Sequence, residues 1–121
     1  MADLTRTEVI KLIAIATQPL NLSGVDLSSL DLSYLDLSRV DLSRADLTYT
    51  NLSSAKLKGA NFSCARLYET KFIRADLKNS EFYLADLTIT DFSYSDLTGA
   101  SIDRGLLNGP NFFNAKGYEK K

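Results

Sequence analysis

Residues 25–47 read VDLSSLDLSYLDLSRVDLSRADL, in which Asp-Leu recurs five times at five-residue intervals and Ser follows the first four. A period of five suits neither an α-helix, whose faces return every ~3.6 residues, nor a plain strand, which alternates every second residue. Stepping outward by fives from this stretch, a Leu, Phe or Ile stands at every marked position from Leu22 to Phe112. The central members of that column are Leu42, Leu47, Leu52, Leu57, Phe62, Leu67, Phe72, Leu77, Phe82, Leu87, Phe92 and Leu97. Two residues before each marker the chain is mostly small, as at Ala45, Thr50, Ala55, Ala60, Ala65, Thr70 and Ala75. The first four of these slots inside the quoted stretch are bulky instead: Val25, Leu30, Leu35 and Val40.

In an extended segment, a residue and the one two before it share a face, and the residue between them faces away. The marked centre and the small residue therefore point inward, and the intervening Asp or Asn points out. The remaining two residues must bend the chain, and the Ser or Thr after the centre can bond its own backbone in a turn. Gly24, Gly59 and Gly99 take the second corner position, where positive φ is expected. Each unit is a short extended piece and a corner.

The triplets Ala45-Asp46-Leu47, Ala60-Asn61-Phe62, Ala75-Asp76-Leu77 and Ala85-Asp86-Leu87 carry the pattern A-(D/N)-L-x-x. With it the chain resembles the pentapeptide-repeat family over roughly residues 20–115. The resemblance implies an all-β solenoid, a right-handed quadrilateral parallel β-helix with four pentapeptides per coil. The residues themselves favour four sides. Phe occupies centres 62, 72, 82, 92 and 112 and Leu occupies 67, 77, 87, 97 and 107. In a four-sided coil this places Phe62 opposite Phe72 and Phe82 opposite Phe92. About five coils spaced ~4.8 Å apart give a rod on the order of 24 Å long.

Such a stack needs caps, because each coil buries its apolar face only against its neighbours. Thr5-Arg6-Thr7-Glu8 reads as a capping box, with Leu4 and Val9 as a hydrophobic staple, opening a helix over about 6–17 that Pro19 ends. Its apolar positions 9, 12, 13 and 16 share a face. We expect it to sit over the first coil, with the four bulky residues filling a wider mouth beneath it. The domains are then 1–19, an N-terminal capping helix; 20–115, the β-helix; and 116–121, a flexible C-terminal tail. At the far end Gly105 and Pro110 take the small slot, Leu106 replaces the outward Asp, and Phe113 follows Phe112. The last coil is covered by the tail around Tyr118 or by a second copy. The chain is thus a monomer or, as the resemblance implies for parts of the family, an end-to-end homodimer through the C-terminal coil.

The chain has 121 residues, a net charge of −1, no histidine and a single cysteine, Cys64. One domain is the expectation, with neither a nucleic-acid footprint nor a disulfide framework. The most apolar run, 9–16, is too short to span a bilayer and lacks the flanks of a secretory signal. The expected setting is cytoplasmic. Asp26, Asp31, Asp36, Asp41 and Asp46 recur at one outward slot on successive walls, which suits capping of local backbone better than metal binding or hydrolysis. Cys64 lies at a corner with no base beside it, so no nucleophile is assigned. No catalytic residue, metal site or cofactor is expected, and the chain is read as not an enzyme.

Large apolar residues gather at outward slots of the third and fourth coils: Tyr68, Ile73, Tyr83, Leu84, Ile89 and Tyr94. They form a candidate protein-contact surface. Arg74 and Tyr94 stand one coil apart, within reach of a cation–π contact. The function expected is a non-catalytic scaffold or protein–protein interaction module with a protein partner and no membrane. The resemblance also implies two alternatives: a DNA-mimicking binder of DNA gyrase or topoisomerase, and a repeat module of a BTB-type ubiquitin-ligase adaptor. Mimicry needs dense negative charge, whereas the acidic column Asp26, Asp46 and Asp86 is interrupted by Arg66 and ends at Leu106. The opposite wall carries Arg39, Lys56, Lys58 and Lys78 beside Asp36, Asp76 and Asp96.

Overall fold

Local hydrogen bonds shape each five-residue unit in the computed structural model, which describes residues 2–118. The outward Asp or Asn accepts from the backbone N–H two residues on: Ser28 donates to Asp26 Oδ1 at 2.9 Å and Ser63 to Asn61 Oδ1 at 2.9 Å. This side-chain turn starts every corner that carries it. The hydroxyls of Ser33, Ser38, Ser43 and Thr48 donate to the same carboxylates at 2.6–2.7 Å, and not to their own backbone. A backbone bond closes the corner, from the N–H three residues past the centre to the centre's C=O, as Val40 to Leu37 and Ala45 to Leu42 at 3.1 Å. The second corner residue has φ between 53° and 75° at every corner from Gly24 to Asn114. Positive φ at the third turn position alone is the sign pattern of a type II turn.

Parallel bridges join Asn21 to Asp41, Asp26 to Asp46, Asp31 to Asn51 and Asp36 to Lys56, and continue in steps of five to Asp96 with Lys116. Every partner is twenty residues away, so four units make one coil. The architecture is a right-handed quadrilateral β-helix. We name its walls by their centres: wall A holds 22, 42, 62, 82 and 102; wall B 27, 47, 67, 87 and 107; wall C 32, 52, 72, 92 and 112; wall D 37, 57, 77 and 97.

Between coils each wall sends three backbone groups toward the C-terminal end. The centre N–H donates to the following coil (Leu42 to Asn61 O, 2.8 Å), and so does that of the second corner residue (Arg44 to Ser63 O, 2.9 Å). The C=O two before the centre accepts from it (Val40 O from Asn61 N–H, 2.9 Å).

The twelve central centres, Leu42 to Leu97, are buried. Phenylalanine rings stack along two walls, Phe62 on Phe82 at 4.8 Å and Phe72 on Phe92 at 5.2 Å. Across the core Phe62 meets Phe72 edge-on at 5.2 Å and Phe82 meets Phe92 at 5.5 Å. Both arrangements are favoured for aromatic pairs. Buried hydroxyls in the small slots are satisfied: Thr50, Thr70 and Thr90 donate to the C=O of Leu27, Leu47 and Leu67 in the preceding coil at 2.7–2.8 Å.

Helix α1 runs Arg6–Ile15 behind a complete capping box. It stops two residues short of the expected end, with Ala16 as an exposed, extended C-cap. Val9 is fully buried in the core cluster, and Leu4, Leu12 and Ile13 pack against it, as do Val25, Leu30 and Leu35; Val40 is buried. The cap is also tied by polar bonds. Arg6 donates to the C=O of Asp31 and Ser33 at 2.8 and 3.1 Å, and Asp3 N–H donates to Asp26 O at 2.6 Å. These carbonyls belong to the open edge of the first coil.

At the other end, pairing continues through Lys116, whose N–H donates to Ser95 O at 2.8 Å, one residue into the stretch assigned to the tail. Tyr118 stacks on Phe112 at 3.7 Å, as one of the two covers expected. The remainder of that tail, 119–121, lies outside the described residues. Among the described residues no helix is long and apolar enough to cross a membrane.

Candidate functional site

Left-handed backbone suits Gly and Asn, and costs an ordinary side chain roughly 1–2 kcal/mol. The corners nevertheless hold Tyr34, Tyr49, Leu84, Ile89 and Tyr94 at φ of 54–66°. Ile89 is β-branched, the type least suited to that conformation. All five side chains are exposed, Tyr34 most of all at 78%. Their packing therefore offsets little of the conformational cost, and such breaks of a local rule point to function.

Assigning corners to walls divides the six residues singled out from the sequence among three edges. Tyr68 and Ile89 lie on the edge between walls B and C, Ile73 and Tyr94 on the edge between C and D, and Tyr83 and Leu84 on the edge between A and B. They do not form one patch. Four of the six flank wall C, and three exposed residues outside that set complete its borders: Tyr34, Tyr49 and Phe113, the last already noted beside Phe112. On the B–C edge, Tyr49 meets Tyr68 edge-on at 5.7 Å. On the C–D edge, the Arg74 guanidinium lies 5.1 Å over the Tyr94 ring, and Tyr94 meets Phe113 at 5.7 Å. Partial desolvation, then the Glu69 carboxylate and Tyr68, push the Tyr49 phenol up.

Between these ridges runs the polar ladder Asp31, Asn51, Lys71, Asp91 and Asn111. Wall C is thus a face of mixed charge between two aromatic and aliphatic ridges.

The recurrent aspartates spend their oxygens locally. Bonds from the Ser28, Ser33 and Ser38 hydroxyls and N–H groups hold the carboxyls of Asp26, Asp31 and Asp36 below the usual range. Thr98 does the same for Asp96. Among the described residues no three His, Cys, Asp or Glu side chains gather as a metal-binding group. Cys64 is exposed at an A–B corner with φ 60°. On wall D, Lys78 bridges Asp76 at 3.5 Å and Asp96 at 3.9 Å, so that wall's charge is partly neutralised.

The family model for pentapeptide repeats, eight copies, matches residues 21–59, 50–88 and 65–104. No curated protein sequence matches the chain. The structure is similar to a pentapeptide repeat protein from the cyanobacterium Cyanothece 51142: 28% identity, 72% of this chain and 59% of the other, TM-score 0.70. It is also similar to one from the Arabidopsis thaliana thylakoid lumen: 32% identity, 78% and 62% covered, TM-score 0.59. The chain thus spans about 60% of the length of these relatives. QnrB1, a plasmid-mediated fluoroquinolone resistance protein, shares the fold at 19% identity, with 76% and 60% covered and a TM-score of 0.51. Register, twenty-residue coil and family match agree: the chain belongs to the pentapeptide repeat family.

Proposed function

We propose that the chain is a non-catalytic interaction module that binds a protein partner through wall C and its two ridges. The observation that carries this reading is the set of large, exposed side chains held in left-handed backbone at Tyr34, Tyr49, Ile89 and Tyr94, all bordering one wall. A rigid stack suits the role, since outward slots can vary while inward ones cannot. The setting proposed is cytoplasmic, in keeping with a single free thiol.

The test uses substitutions that relieve the corner conformation while removing the contact. A Tyr49→Asn, Ile89→Asn, Tyr94→Asn triple variant should melt no lower than the parent and lose its partner in quantitative cross-linking pull-downs. A Tyr83→Asn, Leu84→Asn variant, altered on the A–B edge, should keep it. Equal partner recovery from both variants and the parent would remove wall C from consideration.

A further inference from the structure

Inside the rod, the outward residue and the residue after the centre each turn a C=O toward the preceding coil. Asp41 O and Ser43 O, for example, accept from the N–H groups of Leu22 and Gly24 at 2.7 and 2.9 Å. At the first coil helix α1 and its flanks stand where that preceding coil would be, and they engage the walls unequally. On wall C a single side chain spans the pair. The two terminal nitrogens of Arg6 donate to Asp31 O at 2.8 Å and Ser33 O at 3.1 Å, and Nη1 lies 3.6 Å from Asp31 Oδ1.

Wall D repeats this acceptor set one corner further on. Asp36-Leu37-Ser38 has the sequence of Asp31-Leu32-Ser33 and the same local bonds. The Ser38 N–H and hydroxyl donate to Asp36 Oδ1 at 3.1 and 2.7 Å, as those of Ser33 do to Asp31 Oδ1 at 3.0 and 2.6 Å. Asp36 O and Ser38 O nevertheless have no donor among the described residues. The segment in register with them, 15–19, is itself described and does not supply one: Thr17 N–H makes no bond to Asp36 O, and Pro19, in line with Ser38 O, has no N–H. A cleft of about 450 Å³ lies between, lined by Ile13, Ala16, Pro19, Leu20, Asp36 and Ser38 among others. Helix α1 ends there with no basic residue in its last turn, so the partial negative charge of its terminus adds to the acceptors. Wall A has no such set, since Asn21 stands where the carboxylate would be.

We propose that this cleft binds the guanidinium of an arginine side chain presented by another protein. Arg6 shows the geometry within the same molecule: a planar fork bridges the two C=O groups while its charge meets the carboxylate. A lysine ammonium, a point charge without the fork, fits the pair less well. Ile13, Pro19 and Leu20 offer apolar surface to the aliphatic stem. The neighbouring cations leave the site open. Arg39 leans over the following coil, its Cγ 3.2 Å from where a Cβ on Gly59 would stand, and Lys56 belongs to that coil. The inference stands apart from the wall C reading, because it uses none of the ridge side chains.

The probe is N-acetyl-arginine amide, titrated into the full chain at fixed ionic strength. It should shift the amide resonances of Leu37 and Arg39, whose peptide groups contain the two carbonyls, and the shifts should saturate. N-acetyl-lysine amide should bind at least about threefold more weakly. Asp36→Asn, which keeps an acceptor for the corner N–H and removes the charge, should weaken the arginine probe by about threefold or more. Arg6→Ala, which vacates the wall C site, should let the probe shift Leu32 and Tyr34 as well; the titration of the parent chain decides the outcome whether or not that variant folds. The proposal is overturned by the absence of a saturable shift at Leu37 and Arg39 up to about 50 mM probe. Equal binding of the lysine compound, or unchanged binding to Asp36→Asn, would overturn it too. Free L-arginine binding more than about tenfold tighter than the blocked probe would make the site one for the amino acid and overturn the protein origin.

Discussion

At the scale of the residue, the corner decides most. Glycine at Gly24, Gly59 and Gly99 hints at positive φ, but Ser, Arg, Tyr, Asn, Cys and even Ile occupy the same slot elsewhere, so residue type alone hides how uniform the geometry is. The closing backbone bond is the common element: the corners after Lys56, Arg66, Lys71 and Glu81 keep the same positive φ with it alone, and an outward Asp or Asn adds a second bond where it is present. The misfit should be measurable. Ile89→Asn keeps the backbone and swaps a β-branched residue at φ 54° for one that tolerates it, so denaturant unfolding should show a gain of roughly 1 kcal/mol. A loss of stability would mean that the exposed Ile89 side chain packs more favourably than its 50% exposure implies. Gly99 offers no such exchange, because a Cβ there would collide with the Asn79 side chain.

At the scale of the element, the repeat was legible because its period survives eighteen steps, and the alternation of Phe and Leu pointed to the number of sides. The same period also carries the wall assignment, but only after the coil length is known. Tyr68 and Tyr83 fall close together in the sequence, yet the whole of wall B separates their edges, and Tyr34 and Tyr49 join the face only when columns are read twenty residues apart. The irregularity of the last coil was visible in Gly105 and Pro110; the common axial direction of the backbone donors was not, since it depends on which way each N–H points. Helix α1 gives the clearest contrast between inward and outward positions. Val9→Asp buries an unpaired carboxylate in the core cluster and should cost about 3 kcal/mol or more in urea unfolding. Ile15→Asp, at a residue 75% exposed, should stay within about 0.5 kcal/mol. Equal costs would show that the helix docks through a different face.

At the scale of the whole molecule, stacking couples these local terms, because each coil is held only by its neighbours. The outward charge also argues against duplex mimicry, since the wall B ladder Asp26, Asp46, Arg66, Asp86 and Leu106 is broken by a cation and ends apolar. What the acidic residues do instead sets a pH dependence. The carboxyls of Asp26, Asp31, Asp36 and Asp96 are held below their ordinary value by hydroxyl and N–H donors that the unfolded chain does not assemble. A depressed native pKa means that the unfolded state binds more protons between the two values. The contribution is therefore fully present above the ordinary carboxylate pKa, about 3.9, and is lost as pH falls below it through the native values. Thermal melts should be nearly level from pH 7 to about pH 5 and then fall toward pH 3. Asn51 and Asn61 show that an amide oxygen can accept the same corner N–H, at 3.0 and 2.9 Å. The quadruple variant Asp26→Asn, Asp31→Asn, Asp36→Asn, Asp96→Asn should consequently fold and show a shallower acid slope than the parent. An identical slope in the two proteins would place the acid sensitivity elsewhere in the rod.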